Sequence, residues 1–285
     1  MHRCRGARDG IGPATKGKTV KNDPELQQTA FPFVRVAPRP SKPRTSGLTA
    51  FADRGLGMNQ VADLLETAGD YIDLAKLAVG MYRLQKESFL RRKIAAYRKA
   101  GIRVFTAGDV SEAAFMQGVS ARFFRELRRL GADGVEISSA QVAMSLADKC
   151  ELIRMARGEG LLPVPEAGQK DNEDWTRSTA HVIRQIEGFK KAGAWKVLFQ
   201  DEGVSRDFAS LKSEFILDVV SRFEVDDFLF QLKNADSQAW FIGTFGNAVN
   251  LDVDSHQVLE VELMRRGLRK RGLFGLIGSL PPGRK

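Results

Sequence analysis

WKVLFQ, residues 195–200, is a short apolar run closed by an amide, and DDFLFQL, residues 226–232, repeats the pattern. Runs of this length, rich in Val, Leu and Phe, read as buried strands. Between them, residues 211–222 carry a helical period. Strand, helix, strand is the unit of a parallel sheet covered by helices. The alternation continues outward in both directions. Upstream, strands are expected at 47–53, 71–78, 102–107, 134–138 and 161–167, with helices at 59–68, 86–100, 120–130, 146–157 and 178–192. Downstream come a helix at 236–245, a strand at 248–252 and a last helix at 255–269 that Ser255 can cap. Gly101, Gly131 and Gly193 each follow a helix where the chain must turn left-handed. Pro163 and Pro165 make 161–167 the weakest of the strands.

Eight strands in strict alternation with eight helices predict an α/β chain folded as a (β/α)8 TIM barrel over residues 47–269. No GxGxxG follows the first strand and no Walker loop occurs, so neither nucleotide-binding alternative is marked. Residues 1–46 read as a basic, Pro- and Gly-rich flexible tail and lead-in, and residues 270–285 as a C-terminal tail.

Composition removes several classes. The chain has 285 residues, enough for a large core, and 43% of them are hydrophobic. Two cysteines, Cys4 and Cys150, argue against a disulfide framework and for a reducing, cytoplasmic setting. The three histidines are scattered, with no zinc spacing. No stretch is long and apolar enough to cross a membrane, and the basic N-terminus lacks the apolar core of a secretory signal. The formal net charge of +9 is assigned to the tail and to helix surfaces, because no nucleic-acid motif accompanies it. Neither nucleic acid nor membrane is therefore an expected partner, and a homo-oligomer is left open.

The active site of a barrel forms where its strands end. Those ends carry Asp53, Lys76, Gly108 with Asp109, Glu136 with Ser138, Glu166, Gln200, Gln231 and Asn250. Lys76 closes an apolar strand and suits an anion or a proton transfer; an ion pair with Asp53, Asp73 or Glu136 is the plainer reading. Asp53, Glu136 and Glu166 are hard oxygen donors of the type that holds Mg²⁺, while Asp53 followed by Arg54 also reads as a structural turn pair. Arg265, Arg266 and Arg269 suit anionic groups, or a solvated basic helix end.

KPRTSGLTAFADRGLG (42–57), AGDYIDLAKLAVG (68–80), VEIS (135–138), EAGQKD (166–171), SQAWFIGTFGNAVNL (237–251) and VELMRRGLRKR (261–271) resemble the phosphosulfolactate synthase family of coenzyme M biosynthesis. The resemblance spans about 42–269 and implies a lyase of sulfonate metabolism. It would add sulfite to phosphoenolpyruvate with Mg²⁺, giving (2R)-phospho-3-sulfolactate. Sulfite would attack the methylene carbon, charge would develop on the carboxylate, and a general acid would protonate C2. The resemblance implies Lys76 and Glu136 as catalytic groups, and Glu136, Glu166 and Asp53 as metal donors. It implies Arg265, Arg266, Arg269 and Lys170 as anion-binding groups.

The chain also departs from the family. Gln200 and Gln231 stand where the family has glutamates, Glu202 and Gly203 where it has an arginine–glutamate pair, and Gln169 where it favours lysine. The third-strand turn reads Ala107, Gly108, Asp109 in place of two glycines and a threonine. Paired losses of opposite charge are a coordinated re-tuning, since a lone loss strands its partner. Two alternatives follow: a family member with a changed nucleophile or substrate, and a non-catalytic anion-binding or stress-related protein.

Overall fold

The computed structural model describes residues 28–34, 36–167, 179–200 and 211–269. Eight parallel strands close in sequence order: β1 (Thr49–Asp53), β2 (Leu74–Leu77), β3 (Arg103–Thr106), β4 (Gly134–Ile137), β5 (Leu162–Ala167), β6 (Val197–Phe199), β7 (Phe228–Gln231) and β8 (Leu251–Asp254). Around them lie α1 (Met58–Ala68), α2 (Glu87–Lys99), α3 (Asp109–Met116), α4 (Ser120–Leu130), α5 (Leu146–Gly158), α6 (Thr179–Ala192), α7 (Ser213–Val220), α8 (Ala235–Phe245) and α9 (Val258–Arg265). This is the expected (β/α)8 barrel.

Strand alternation divides the core in two. Leu48, Ala50, Leu74, Phe105, Val164, Leu198 and Leu229 fill the barrel interior as one apolar cluster. Strand residues of the opposite parity, such as Phe51, Ala75, Val104, Val135, Val197, Phe228 and Phe230, pack outward against the helices. The proline-bearing strand forms as expected. The Pro163 carbonyl accepts the Trp195 N–H at 2.9 Å, so its missing donor faces β6. There the ladder is confined to Glu166 with Leu198 and Ala167 with Phe199.

Three boundaries differ from expectation. An extra helix, α3, opens at Asp109, its start prepared by Gly108 and acidic residues in its first turn. The segment Gly246–Ala248 is a 3₁₀ turn, which moves β8 three residues along the chain. Ser255 lies in the 3₁₀ turn Ser255–Gln257 and makes no cap, because Gln257 takes the Asp254 N–H at 3.1 Å instead. Helix ends elsewhere follow their residues. Gly101 and Gly131 take φ of 70° and 99°, and Ser145 and Asp148 cap α5 reciprocally.

The lead-in crosses the base of the barrel, the end where the strands begin. Arg39 pairs with Glu262 and donates to the Gly47 carbonyl at 2.6 Å. Arg44 meets Asp73 at 3.2 Å and the Pro40 carbonyl at 2.7 Å. The Ala37 N–H reaches the Arg266 carbonyl at 3.0 Å. Among the described residues no helix is long and apolar enough to cross a membrane. The tails 1–27 and 270–285 lie outside the described residues.

Candidate active site

At the mouth, the apolar interior gives way to polar side chains that continue its inward parity. Lys76 on β2 stands two residues above Leu74, Glu166 two above Val164, Gln200 two above Leu198 and Gln231 two above Leu229. Lys76, Glu136, Glu166 and Asp252 are all buried.

Lys76 is the centre of this layer. Its ammonium forms an ion pair with Asp252 and lies 3.7 Å from Glu136 Oε2. Burial alone would lower its pKa, but the charges of Asp252 and Glu136, with Glu166 behind them, hold it above the ordinary lysine value. Lys76 is therefore a fixed cation at neutral pH. Glu136 is pushed the other way. Burial raises its pKa, assisted by Asp252, against the pull of Lys76 and of the Gly108 N–H, which reaches Oε1 at 3.3 Å. Its other oxygen, Oε2, is buried and accepts no hydrogen bond, and the same holds for Asp252 Oδ1. Buried carboxylate oxygens without donors are costly and suit a cation or a substrate proton.

The rim is braced by a second carboxylate. Glu112 on α3 accepts from the Ser138 hydroxyl and from the backbone N–H groups of Ala140, Gln141 and Val142, at 3.0, 2.8 and 2.9 Å. The loop after β4 is thereby tied to the loop after β3. Gly108 lies beneath it: a Cβ there would stand 2.0 Å from Ser138 Oγ, so a side chain cannot fit without moving the loop.

The structure brings together Lys76, Glu136 and Glu166, as expected, and separates them from Asp53. That aspartate has the outward parity of Phe51. Its carboxylate is 2.9 Å from Lys93 Nζ and accepts from Tyr97 Oη at 2.9 Å, Gly55 N at 2.9 Å and Leu56 N at 2.7 Å. It pins the first turn to α2, and its oxygens are taken; Arg54 turns instead to Asp254 at 3.6 Å, so the two residues do not pair with each other.

The arginine cluster corrects a second expectation. Arg265 is fully buried at the base, donating to the carbonyls of Asn247 at 3.1 Å, Val249 at 2.9 Å and Leu48 at 3.4 Å. Burial, with Arg39 nearby, brings its pKa down to about 9, still cationic at neutral pH. Arg266 binds Glu262 at 2.7 Å, and the exposed Arg269 binds Glu260 at 2.5 Å. Helices of a barrel run back from mouth to base, so a cluster at the end of α9 cannot face the mouth. Asn250 is also at the base, holding the Leu48 N–H at 2.8 Å. Lys170, Gln169 and Glu202 lie outside the described residues.

Asp252 escaped the sequence reading. With the strand set at 248–252 it sat at the frame's edge, and Asn250 looked like the polar terminus. The run LDVD held the signal: Leu251 and Val253 are outward, so Asp252 between them is inward.

As for a metal, no three His, Cys, Asp or Glu side chains converge as a metal-binding group among the described residues. The donor types nevertheless fit a hard cation, since the layer holds carboxylates, and oxygens of Glu136 and Asp252 are free of hydrogen bonds.

Known proteins give the context. Residues 37–271 match the family model of (2R)-phospho-3-sulfolactate synthase (ComA). The phosphosulfolactate synthase of Methanothermobacter thermautotrophicus is 30% identical over 248 residues, covering 84% of this chain and 96% of that one. Protein HEAT-STRESS-ASSOCIATED 32 of Arabidopsis thaliana is 26% identical over 255 residues, covering 80% and 88%. The 3-hexulose-6-phosphate synthase of Salmonella typhimurium shares the barrel fold, with a TM-score of 0.53 at 10% identity over 78% of this chain and 100% of that one. With the family model matched across the whole barrel, this chain belongs to the phosphosulfolactate synthase family.

Proposed function

We propose that the protein is a carbon–sulfur lyase that adds sulfite to phosphoenolpyruvate, forming phosphosulfolactate. The observation that carries the reading is the buried Lys76 ammonium, held cationic among carboxylates at the mouth. The sulfite sulfur forms a bond to the methylene carbon, and the double-bond electrons move through C2 onto the substrate carboxylate. Lys76 faces that developing charge in a water-poor layer, where a fixed cation is most effective. Its raised pKa makes it a poor proton donor and a good electrostatic one. Glu136 has the opposite bias: burial favours its neutral form, which suits delivery of the proton to C2. Solvent returns that proton afterwards. Mg²⁺, if bound, would be held by Glu166, leaving Glu136 free to carry its proton, and would supply further positive charge to the layer.

Gln200 and Gln231 favour a second reading. These amides stand where the family resemblance has glutamates, so a member with the same acceptor and a different nucleophile is the alternative.

The test is an assay of purified protein with phosphoenolpyruvate, sulfite and Mg²⁺, followed by mass spectrometry. Product from the wild type, lost in Lys76→Ala, is the expected result. Folded protein that binds phosphoenolpyruvate without making product would transfer the reading to a changed nucleophile. Neither binding nor product would leave a non-catalytic member of the family.

A further inference from the structure

We infer that Asp252 is the positioning residue of this site: reaching past the small β1 side chains, its carboxylate fixes where the Lys76 ammonium points. The inference rests on the proposed role of Lys76 in meeting substrate charge. A lysine ends in a compact charge on a flexible four-carbon stem, so its direction must come from a partner.

Three observations converge on Asp252. First, its carboxylate has no other task among the described residues. Asp53 and Glu112 each take two or more backbone N–H groups and so shape loops. Asp252 accepts no hydrogen bond on Oδ1 and meets Lys76 with Oδ2. A carboxylate only 1% exposed, with that single engagement, is not a device for folding a turn.

Second, the strand between them is cut down to allow the contact. Lys76 is on β2 and Asp252 on β8, with β1 in between. Ala50 of β1 is level with Asp252, and Ala52 is level with Lys76. Both are inward and small, so the ammonium passes over them to its partner. A branched side chain at 52 would close that path.

Third, the level is shared with an amide. Gln231 of β7 is in register with Asp252, two inward positions on adjacent strands. A carboxylate at either position lies on the same flank of Lys76, and this chain has it on β8.

The experiment compares wild type, Asp252→Asn, Asp252→Glu, Ala52→Val and the double variant Asp252→Asn/Gln231→Glu, reading kcat and KM for phosphoenolpyruvate separately. Asp252→Asn is expected to lower kcat about 10²-fold with KM little changed, the signature of a misplaced group. Ala52→Val should show the same split, more weakly. Asp252→Glu should recover part of the loss, and the double variant about tenfold of it by returning a carboxylate to the flank. Wild-type kcat in Asp252→Asn would overturn the inference. So would a loss carried by a raised KM with kcat unchanged, or a double variant no better than Asp252→Asn. If the wild type makes no product, the proposed reaction fails and the pair is judged by unfolding alone. Lys76→Met should then restore the midpoint lost in Asp252→Asn, whereas additive losses in the double variant would overturn the pairing.

Discussion

At the base of the barrel, Arg265 gives its guanidinium to three carbonyls, and Arg44 serves the carbonyls of Pro40 and Asp70 as well as Asp73. At the mouth, Lys76 meets carboxylates, and oxygens of Glu136 and Asp252 are left without a hydrogen bond. Both ends bury charge. The difference is in where the donors and acceptors go. The base directs its arginines at main chain that folding itself leaves unpaired, so charge there completes the structure. Arg265 Nε at the base also lacks a hydrogen bond, but at the mouth the atoms left over are carboxylate oxygens beside a cation, a reserve that costs stability and is retained where chemistry can use it.

That contrast can be broken or sharpened by substitution. The largest effect is expected at the base. Glu262→Ala leaves both Arg39 and Arg266 buried without their carboxylate and should cost about 3–5 kcal/mol in urea unfolding. A loss under 1 kcal/mol would show the base to be as loosely satisfied as the mouth. Next, Asp53→Ala strands Lys93 and frees two N–H groups, costing about 3 kcal/mol. Its Mg²⁺ dependence of phosphoenolpyruvate binding should match wild type, and an altered dependence would restore Asp53 to the site. Gly108→Ala forces a methyl against Ser138 and should cost about 1–3 kcal/mol, with faster proteolysis of the loop after β4.

Glu136→Gln should act in the opposite direction. The Glu136 pKa is raised in the folded state, so its contribution is complete below the unfolded carboxylate pKa and is lost as pH rises through the folded value. The amide variant should therefore unfold later than wild type at neutral pH, with the gap closing as pH falls. A gap independent of pH would assign the effect to packing. Smallest of all, Glu260→Ala breaks an exposed pair with Arg269 and should change stability by less than about 0.5 kcal/mol.

The barrel was legible because period-2 and helical patterns alternate without interruption, and glycines mark the turns. Lys76, Glu136 and Glu166 were legible because a charged residue inside an apolar strand has few explanations. What the strand pattern concealed was parity. Asp53 and Lys76 both end strands, but Asp53 shares a face with Phe51 while Lys76 shares one with Leu74. Reading alternation through to the last residue would have separated them. Asp252 was hidden by a different cause, a 3₁₀ turn at Gly246–Ala248 that no apolar pattern announces. The arginines needed only topology: the end of a barrel helix returns to the base.

The clasp between lead-in and last helix has a consequence for synthesis. Arg39 and Glu262 are 223 residues apart, and Arg266 and the Ala37 carbonyl 229. As the chain leaves the ribosome, the segment that seals the base must wait for nearly the whole barrel to follow it. Contacts so distant form late and slow the closing step. A chain cut short before α9 would keep all eight strands but leave Arg39 without Glu262. Only a chain that has reached α9 can shut its own floor.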